Sequence, residues 1–264
     1  MKCCVLVAYV PDTASIIKIG SAGNRIDEGG IKWIISPYDE FALEEAIRIK
    51  EARGGEVTVI TYAPERGSTG LRECLARGAD HAVHVVGGEA TFGDSYAIAR
   101  VLAAAVQKTG PFDLILCGIK GVGSDASLVG AMVAELLDLP HVSGVVKLEL
   151  GDGSLTAQRD VEGGTEVFTS PLPCLLATHK GLNEPRYPSL KGIMAAKKVP
   201  IQTFKPADLG VDEAELAGAG ATTRWVKLEL PPAKASGTIL KGEEDPAAAA
   251  RELVRLLREE AKAI

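Results

Sequence analysis

The sequence predicts an α/β fold built on a doubly wound, mainly parallel sheet, with antiparallel edge strands and an extended C-terminal arm. Three observations lead to this class. Over the first 140 residues, short apolar runs alternate with amphipathic stretches, as in parallel strands joined by helices. After Pro140, alternating runs are separated by glycine-containing turns, which is typical of antiparallel strands. Beyond Pro206 the chain is rich in Ala, Gly and Pro, as in an extended arm.

The parallel part of the predicted sheet lies in the first half of the chain. Ser36 is the expected N-cap and Pro37 the expected first residue of a helix, with Asp39 in its first turn and Gly54 at its end, because these residue types suit those positions. The other expected helices are 67–77, 94–108 and 125–138, and the expected strands are 3–10, 56–62, 80–86 and 113–117.

The second half is expected to carry edge strands and then the arm. Alternating runs at 145–150 and 154–168 predict antiparallel strands, and 173–178 predicts another apolar strand. A final amphipathic helix is expected over 245–263. We therefore predict a core of residues 1–205, and an arm and helix of residues 206–264 that pack on a partner. A helix folded back on the parent sheet is the alternative.

Charge and cysteine usage exclude several classes of protein. Lys and Arg number 29 against 35 Asp and Glu, a net charge of −6, which argues against nonspecific nucleic-acid binding. No apolar run reaches the roughly 20 residues of a membrane helix, and the first residues do not resemble a signal peptide. The five cysteines lack CxxC spacing and lie mostly in apolar runs, which predicts buried, reduced thiols and a cytoplasmic protein. The four histidines form no metal-ligand pattern.

A glycine-rich stretch, GIKGVGSDASLVG at residues 118–130 (the glycine loop), is the first candidate site. It follows a predicted parallel strand and leads into a predicted helix, and open α/β sheets bind ligands at such strand ends. Free backbone N–H groups there attract phosphate. The spacing matches neither a Walker A loop nor a GxGxxG fingerprint. A tight turn in which Ser124 or Asp125 caps the helix is the alternative.

The second candidate site is the docking segment, residues 181–200, reading GLNEPRYPSLKGIMAAKKVP. Pro185 and Pro188 stiffen its first part, and Leu190 stands alone among polar neighbours. An isolated leucine on a stiff loop is what a small partner anchor would look like. A surface loop whose leucine returns to the core is the alternative.

The docking segment closely resembles the signature of the beta subunit of electron transfer flavoprotein. Other stretches resemble the same family in the same order: VLVAYVPDT, ISPYDEFALEEAIRIKE, ARGADHAV, DLILCGIKGVGSDASLVGAMVAELLDLP, RDVEGGTE and KPADLGVD. The resemblance implies a Rossmann-like, adenine-nucleotide-binding α/β fold. It also implies an electron carrier subunit rather than an enzyme, with no catalytic residues of its own.

The resemblance implies that this subunit binds AMP. The AMP-contacting positions carry over to Ala8, Ser36, Pro37, Tyr38, Asp39, Tyr62, Gly118, Gly121, Val122, Gly123, Ser124, Asp125, Ala126, Ser127, Leu128 and Val129. The chain departs from the family pattern by lacking the amide-bearing side chains of QAIDDD-x-NQTG and by having Ser36 where asparagine is usual. The VPDT run at 10–13 resembles members that hold a second FAD. We favour AMP, with a second FAD and a bifurcating role with NADH as the alternative.

The resemblance also implies the partners. The redox FAD would be held mainly by the alpha subunit of a heterodimer, with this chain closing one side of its pocket. Electrons would come from flavin dehydrogenases, such as the acyl-CoA dehydrogenases of fatty acid beta-oxidation, and pass to a quinone oxidoreductase. Leu190 would be the anchor in the dehydrogenase, Tyr187, Ile193 and Met194 its support, and Asp160 a contact to the mobile flavin domain.

Two other functions remain open from the residues alone. A regulatory nucleotide-binding module resembling the universal stress proteins would need a phosphate loop but neither the docking segment nor the arm. A hydrolase on a doubly wound sheet would need a GxSxG elbow or a comparable nucleophile, and the sequence has none. A flavin-containing complex with a second chain would distinguish the electron carrier from both.

Overall fold

The computed structural model describes residues 1–88, 93–217, 220–232, 237–243 and 245–264. In these residues strands and helices alternate largely as predicted. The strands are β1 (Lys2–Leu6), β2 (Tyr9–Pro11), β3 (Lys18–Ile19), β4 (Ile26–Asp27), β5 (Trp33–Ile35), β6 (Glu56–Ala63), β7 (His81–Val86), β8 (Leu114–Gly118), β9 (His141–Leu150), β10 (Ser154–Val161), β11 (Gly164–Pro171), β12 (Cys174–Thr178) and β13 (Ile201–Phe204). The helices are α1 (Pro37–Arg53), α2 (Gly67–Arg77), α3 (Ser95–Thr109), α4 (Val129–Leu136), α5 (Leu190–Ala196), α6 (Glu213–Leu216) and α7 (Pro246–Glu259), with a 3₁₀ turn at Pro206–Leu209.

Nine strands form one large sheet, in the order β11-β10-β9-β12-β8-β1-β6-β7-β13. Six neighbouring strands pair in parallel, in the order β12, β8, β1, β6, β7 and β13. Strand β9 also pairs with β12 in parallel. The pairs β9–β10 and β10–β11 are antiparallel. The predicted doubly wound, mainly parallel sheet with antiparallel edge strands is therefore confirmed.

Helices cover both faces of the parallel strands. On one face, Leu43 and Ile47 of α1 and Leu71 of α2 pack with alternate strand residues such as Val5. On the other face, α3 and α4 pack with the strand residues that alternate with those of the first face, such as Leu6. The strands are continuous apolar runs because they are buried on both faces, which is why β1, β6 and β8 could be predicted from sequence.

The direction in which the chain crosses the sheet reverses at β1. From β1 it moves through α1 to β6 and through α2 to β7, and then returns through α3 to β8 on the other side of β1. The carboxyl ends of β1 and β8 therefore border the crevice where open α/β sheets bind ligands.

Two predicted elements were wrong in extent. The predicted strand 3–10 is split, because β1 ends at Leu6 and Tyr9 begins β2, which pairs with β5 in a separate small sheet. The split occurs at Ala8, which bonds to the start of α1 instead of to a neighbouring strand. Its carbonyl oxygen accepts a bond from Ser36 N, and its N–H donates to Asp39 Oδ2. The predicted helix 125–138 begins only at Val129 and ends at Leu136.

Strands β3, β4, β5 and β13 were not predicted. Strand β13 is short and follows Pro200, and it becomes a strand by pairing in parallel with the edge of β7. Strand β5 is likewise short and pairs with β2 alone. Isolated three- or four-residue runs of this kind carry little pattern in the sequence.

The described chain divides into two compact units, Met1–Leu228 and Glu229–Ile264. The first contains every residue of both hydrophobic cores. The second contains α7, whose N-terminus is capped by Asp245 Oδ1, 2.9 Å from Ala248 N. Helix α7 buries none of its residues, and Leu253 and Val254 are about half exposed. The predicted boundary between a core, 1–205, and a partner-bound arm stays a prediction.

Two further expectations concern composition. All five cysteines are free and buried, as predicted. Among the described residues, no helix has both the length and the apolar character needed to cross a membrane.

Candidate functional site

The buried side chain of Asp39 joins the carboxyl ends of the two central strands. Its Oδ2 accepts a hydrogen bond from Ala8 N, beyond β1, and its Oδ1 accepts one from Gly118 N, at the end of β8, each at 2.7 Å. Burial raises the pKa of Asp39 from its ordinary 3.8 to about 7, although the two N–H groups oppose the shift. Asp39 thus positions the first residues of the candidate site.

Gly118 allows α1 to approach the glycine loop. A Cβ at this position would lie 2.6 Å from Asp39 Oδ1 and 2.6 Å from Tyr38 Cβ, closer than real side chains approach. Only glycine fits without movement of the α1 N-terminus. The close approach explains why a glycine ends this strand.

Hydroxyl groups hold the same region from two sides. Ser36 N donates to Ala8 O at 2.9 Å, and Ser36 Oγ donates to Lys120 O at 3.3 Å. Thr178 Oγ1, at the end of β12, lies 3.2 Å from the carbonyl oxygens of Tyr38 and Cys117. Ser36 occupies the N-cap position as predicted, but its hydroxyl binds the glycine loop instead of capping α1.

Residues 123–128 of the glycine loop are exposed and lie outside any helix. Gly123, Asp125 and Ser127 have φ of 118°, 50° and 54°, which no helix allows. Lys120 Nζ lies 2.7 Å from Asp125 Oδ2, so the side chain of Asp125 closes the loop. The alternative in which Ser124 or Asp125 caps the helix is wrong, because Leu128 holds the N-cap position.

The groups of the glycine loop suit an anionic ligand. The ammonium of Lys120 and the exposed hydroxyls of Ser124 and Ser127 suit an anionic phosphate, as do the backbone N–H groups of a glycine-rich turn. A Cβ at Gly121 or Gly123 would meet no atom within 4 Å, so there is open space beside this backbone.

The structure brings most of the predicted nucleotide residues together. Those at the carboxyl ends of β1 and β8 and at the start of α1 are Ala8, Ser36, Pro37, Tyr38, Asp39, Gly118, Gly121, Val122, Gly123, Ser124, Asp125, Ala126, Ser127, Leu128 and Val129. Tyr62 lies on β6, on the other side of β1, with its ring next to Gly88.

Two side chains lie beside Tyr38, and of these only His179 was missed from sequence. Lys120 Nζ lies 5.7 Å from the centre of the Tyr38 ring, and the centre of the His179 ring lies 5.5 Å from it. A lysine within the glycine loop was a visible signal. His179 becomes a neighbour only because β12 pairs with β8.

Three aspartates near the strand ends, Asp12, Asp39 and Asp125, each have a separate partner. Asp12 pairs with Lys32 at 3.0 Å, Asp39 bonds backbone groups, and Asp125 pairs with Lys120. In the part of the chain that the structure describes, no group of three His, Cys, Asp or Glu side chains could hold a metal ion.

The docking segment presents an apolar surface. Tyr187 is 91% exposed, Leu190 84% and Met194 61%, and Ile193 is partly exposed beside them. Leu190 is the first residue of α5, which Ser189 caps by accepting a bond from Gly192 N at 3.0 Å. The alternative in which Leu190 returns to the core is wrong.

Helix α5 rests against α2 with little space between them. A Cβ at Gly192 would lie 2.2 Å from Ala76 O, so the glycine allows the two helices to approach. Arg72 of α2 donates to the carbonyl oxygens of Ala196 and Val199. Lys197 and Lys198 follow directly as a polar helix end.

Asp160 lies apart from the docking segment. It is exposed on β10, near one edge of the sheet, and accepts a hydrogen bond from Thr165 Oγ1 at 3.2 Å. The docking segment leads instead into β13, the strand at the opposite edge.

Comparison with known proteins gives the family. The model of the electron transfer flavoprotein domain matches residues 24–209. This range includes the start of α1, the glycine loop and the whole docking segment.

Curated relatives match over nearly the whole chain. The electron transfer flavoprotein subunit beta of Bacillus subtilis (strain 168) is 42% identical over 265 residues, covering 100% of both chains. Subunit CarD of the caffeyl-CoA reductase-Etf complex of Acetobacterium woodii is 36% identical, covering 92% of both chains. Protein FixA of Azotobacter vinelandii is 34% identical, covering 88% of this chain and 84% of its own. The chain therefore belongs to the electron transfer flavoprotein family, as a beta subunit.

Proposed function

We propose that this chain works as the beta subunit of a heterodimeric electron carrier. Its alpha subunit would make most of the contacts to the redox FAD, and this chain would close one side of the flavin pocket. The flavin supplies the redox chemistry, and the protein supplies docking and geometry. Electrons would pass from flavin dehydrogenases, such as acyl-CoA dehydrogenases, to a quinone oxidoreductase.

The observation that carries this proposal is the apolar surface of the docking segment. Leu190 and Tyr187 are almost fully exposed on a segment fastened to α1 and α2. A small exposed anchor of this kind suits a transient complex that must form and release quickly. A relative named as a subunit of a caffeyl-CoA reductase-Etf complex supports an enzyme of CoA esters as the partner class.

The glycine loop would hold AMP. Lys120, Ser124 and Ser127 would bind the phosphate, and Asp39 would hold the two strand ends in place beneath it. Tyr38, beside Lys120, would line the site. AMP would have a structural role here, while the flavin of the complex would carry the redox chemistry.

The test is the nucleotide content of the complex. The chain is co-expressed with its alpha subunit, the purified complex is denatured, and released FAD and AMP are quantified by chromatography. We expect one FAD and one AMP per heterodimer. Two FAD and no AMP would instead support the branch with a second flavin. A chain that binds no alpha subunit and no nucleotide would contradict the proposal.

A further inference from the structure

The first part of the docking segment is not held by the backbone hydrogen bonds of a helix or a strand. Residues 183–189 are neither helix nor strand, and the exposed side chains of Tyr187 and Leu190 lie within it or directly after it. The position of Tyr187, and of the chain that leads into Leu190 at the start of α5, therefore depends on side-chain bonds to the rest of the fold. Two side chains make these bonds to α1, those of Asn183 and Arg186.

Arg186 makes the larger set of contacts. Its Nε and Nη2 donate to the two carboxylate oxygens of Glu44 at 2.8 and 3.0 Å, and its backbone N donates to Glu44 Oε2 at 3.1 Å. Its Nη1 and Nη2 donate to Glu51 at 2.6 and 2.9 Å. One guanidinium thus bridges two carboxylates two turns apart on α1.

The buried carboxylate makes this contact different from an ordinary surface ion pair. Exposed pairs contribute little to stability, but the Glu44 side chain is only 5% exposed. Burial alone would raise the pKa of Glu44, yet the hydrogen bonds from Arg186 and Arg48 lower it. The buried carboxylate of Glu44 therefore requires the guanidinium of Arg186 in one geometry.

Asn183 supports the same attachment three residues earlier. Its Nδ2 donates to Phe41 O at 3.0 Å and to Glu45 Oε2 at 2.9 Å. Together, Asn183 and Arg186 hold the first part of the docking segment on α1, while Arg72 holds its last part on α2.

We propose that Arg186 is a positioning residue, which holds Leu190 and Tyr187 in the conformation that a flavin dehydrogenase binds. This inference rests on the proposed docking function of Leu190. Arg186 touches neither flavin nor partner in this role. It acts by removing alternative conformations of the segment before the partner arrives, so that binding does not have to order it.

The experiment measures electron transfer from a flavin dehydrogenase to the heterodimer, with the heterodimer as the varied substrate. In Arg186→Gln, less of the segment is in the binding conformation, so KM for the heterodimer should rise roughly 3- to 10-fold while kcat is unchanged. Arg186→Lys should not rescue KM, because an ammonium cannot bridge both carboxylates in fixed geometry.

A double-mutant cycle with Leu190→Ala separates positioning from general destabilisation. If Arg186 acts through the anchor, Arg186→Gln should have little further effect on KM in the Leu190→Ala background. Arg66→Gln is the matched control. The side chain of Arg66 is about as exposed as that of Arg186, but it donates two bonds of 2.9 Å to the exposed carboxylate of Glu28. Its loss should leave KM unchanged.

Each failure has a distinct meaning. An unchanged KM in Arg186→Gln, or an equal rise in both backgrounds, would overturn the positioning role. An unchanged KM in Leu190→Ala would overturn the docking function itself. If Arg186→Gln does not fold, Glu51→Gln removes only the exposed half of the contact. A smaller KM rise that disappears with Leu190→Ala would then support the inference, and any other result would overturn it.

Discussion

Asp39 is the residue on which the geometry of the candidate nucleotide site depends most. It is buried, and its two oxygens accept backbone hydrogen bonds from the ends of two neighbouring strands, β1 and β8. An amide cannot replace it, because the NH₂ group of asparagine would face an N–H donor. The contact is therefore specific to a carboxyl group.

We expect Asp39→Asn to destabilise the chain by about 1–3 kcal/mol at pH 5, because one backbone N–H is left without an acceptor. The difference should be smaller at pH 8. Since the pKa of Asp39 is raised from 3.8 to about 7, the folded wild type binds a proton that the unfolded chain has released in this window, so its stability falls as pH rises.

Urea unfolding of both proteins at pH 5 and pH 8 measures the effect. Asp152→Asn is the control, because Asp152 is exposed in the turn before β10, and its loss should change stability equally at both pH values. A difference between wild type and Asp39→Asn that grows with pH would contradict the raised pKa.

Single residues were predictable where their role is local. Gly118 and the residues at the start of α1 were placed correctly because strand ends and helix starts have sequence signals. The role of Arg186 was not predictable, because its partners Glu44 and Glu51 lie 142 and 135 residues away. The sequence shows these charged residues but not which of them the fold brings together.

At the scale of elements, the start of α3 is tied to a distant part of the chain. Asp94 caps α3 by accepting bonds from Tyr96 N and Ala97 N. The same carboxylate accepts bonds from Thr222 N and Thr223 N at 2.6 and 2.9 Å. These bonds hold the pKa of Asp94 below its ordinary value although burial opposes them. One carboxylate therefore positions both a helix and the segment near residue 222.

Asp94→Ala should lower stability by at least the ~0.5–2 kcal/mol of a lost N-cap, and it should release the segment that follows Thr222. Arg224 and Lys227 are exposed there, so we expect faster trypsin cleavage after these residues. Ser189→Ala is the matched control, since Ser189 caps α5 without any bond to this segment. Equal cleavage rates in the two variants would contradict the role of Asp94.

Helices were predicted well where their ends have a cause within the helix. Helix α2 was predicted with its observed limits because Gly78 ends it. Helix α4 was predicted to begin four residues too early, because the bond between Lys120 and Asp125 and two left-handed residues keep the loop out of the helix. Loop conformations that depend on a side-chain bond leave no periodic pattern in the sequence.

At the scale of the whole molecule, both hydrophobic cores end before the second unit begins. One core ends at Ala196, and the last buried members of the other are Val211 and Leu216. The first unit extends to Leu228. The 3₁₀ turn Pro206–Leu209 and these two residues lie beyond the boundary at 205 that the change in composition indicated. The boundary at 205 stays a prediction, and the stability of truncated chains can test it.

Truncation tests this division and the role of the second unit together. A chain ending at Leu228 should keep the stability of the full chain within about 1 kcal/mol, because no core residue is removed. It should nevertheless fail to co-purify with the alpha subunit if α7, whose apolar residues are unburied, packs on that partner.

A chain ending at Lys205 is the comparison. It also loses the buried Val211 and Leu216 and should be clearly less stable. Equal stability of the two truncated chains would place the core boundary at 205. Undiminished binding of the alpha subunit by the chain ending at Leu228 would show that partner recognition resides in the first unit.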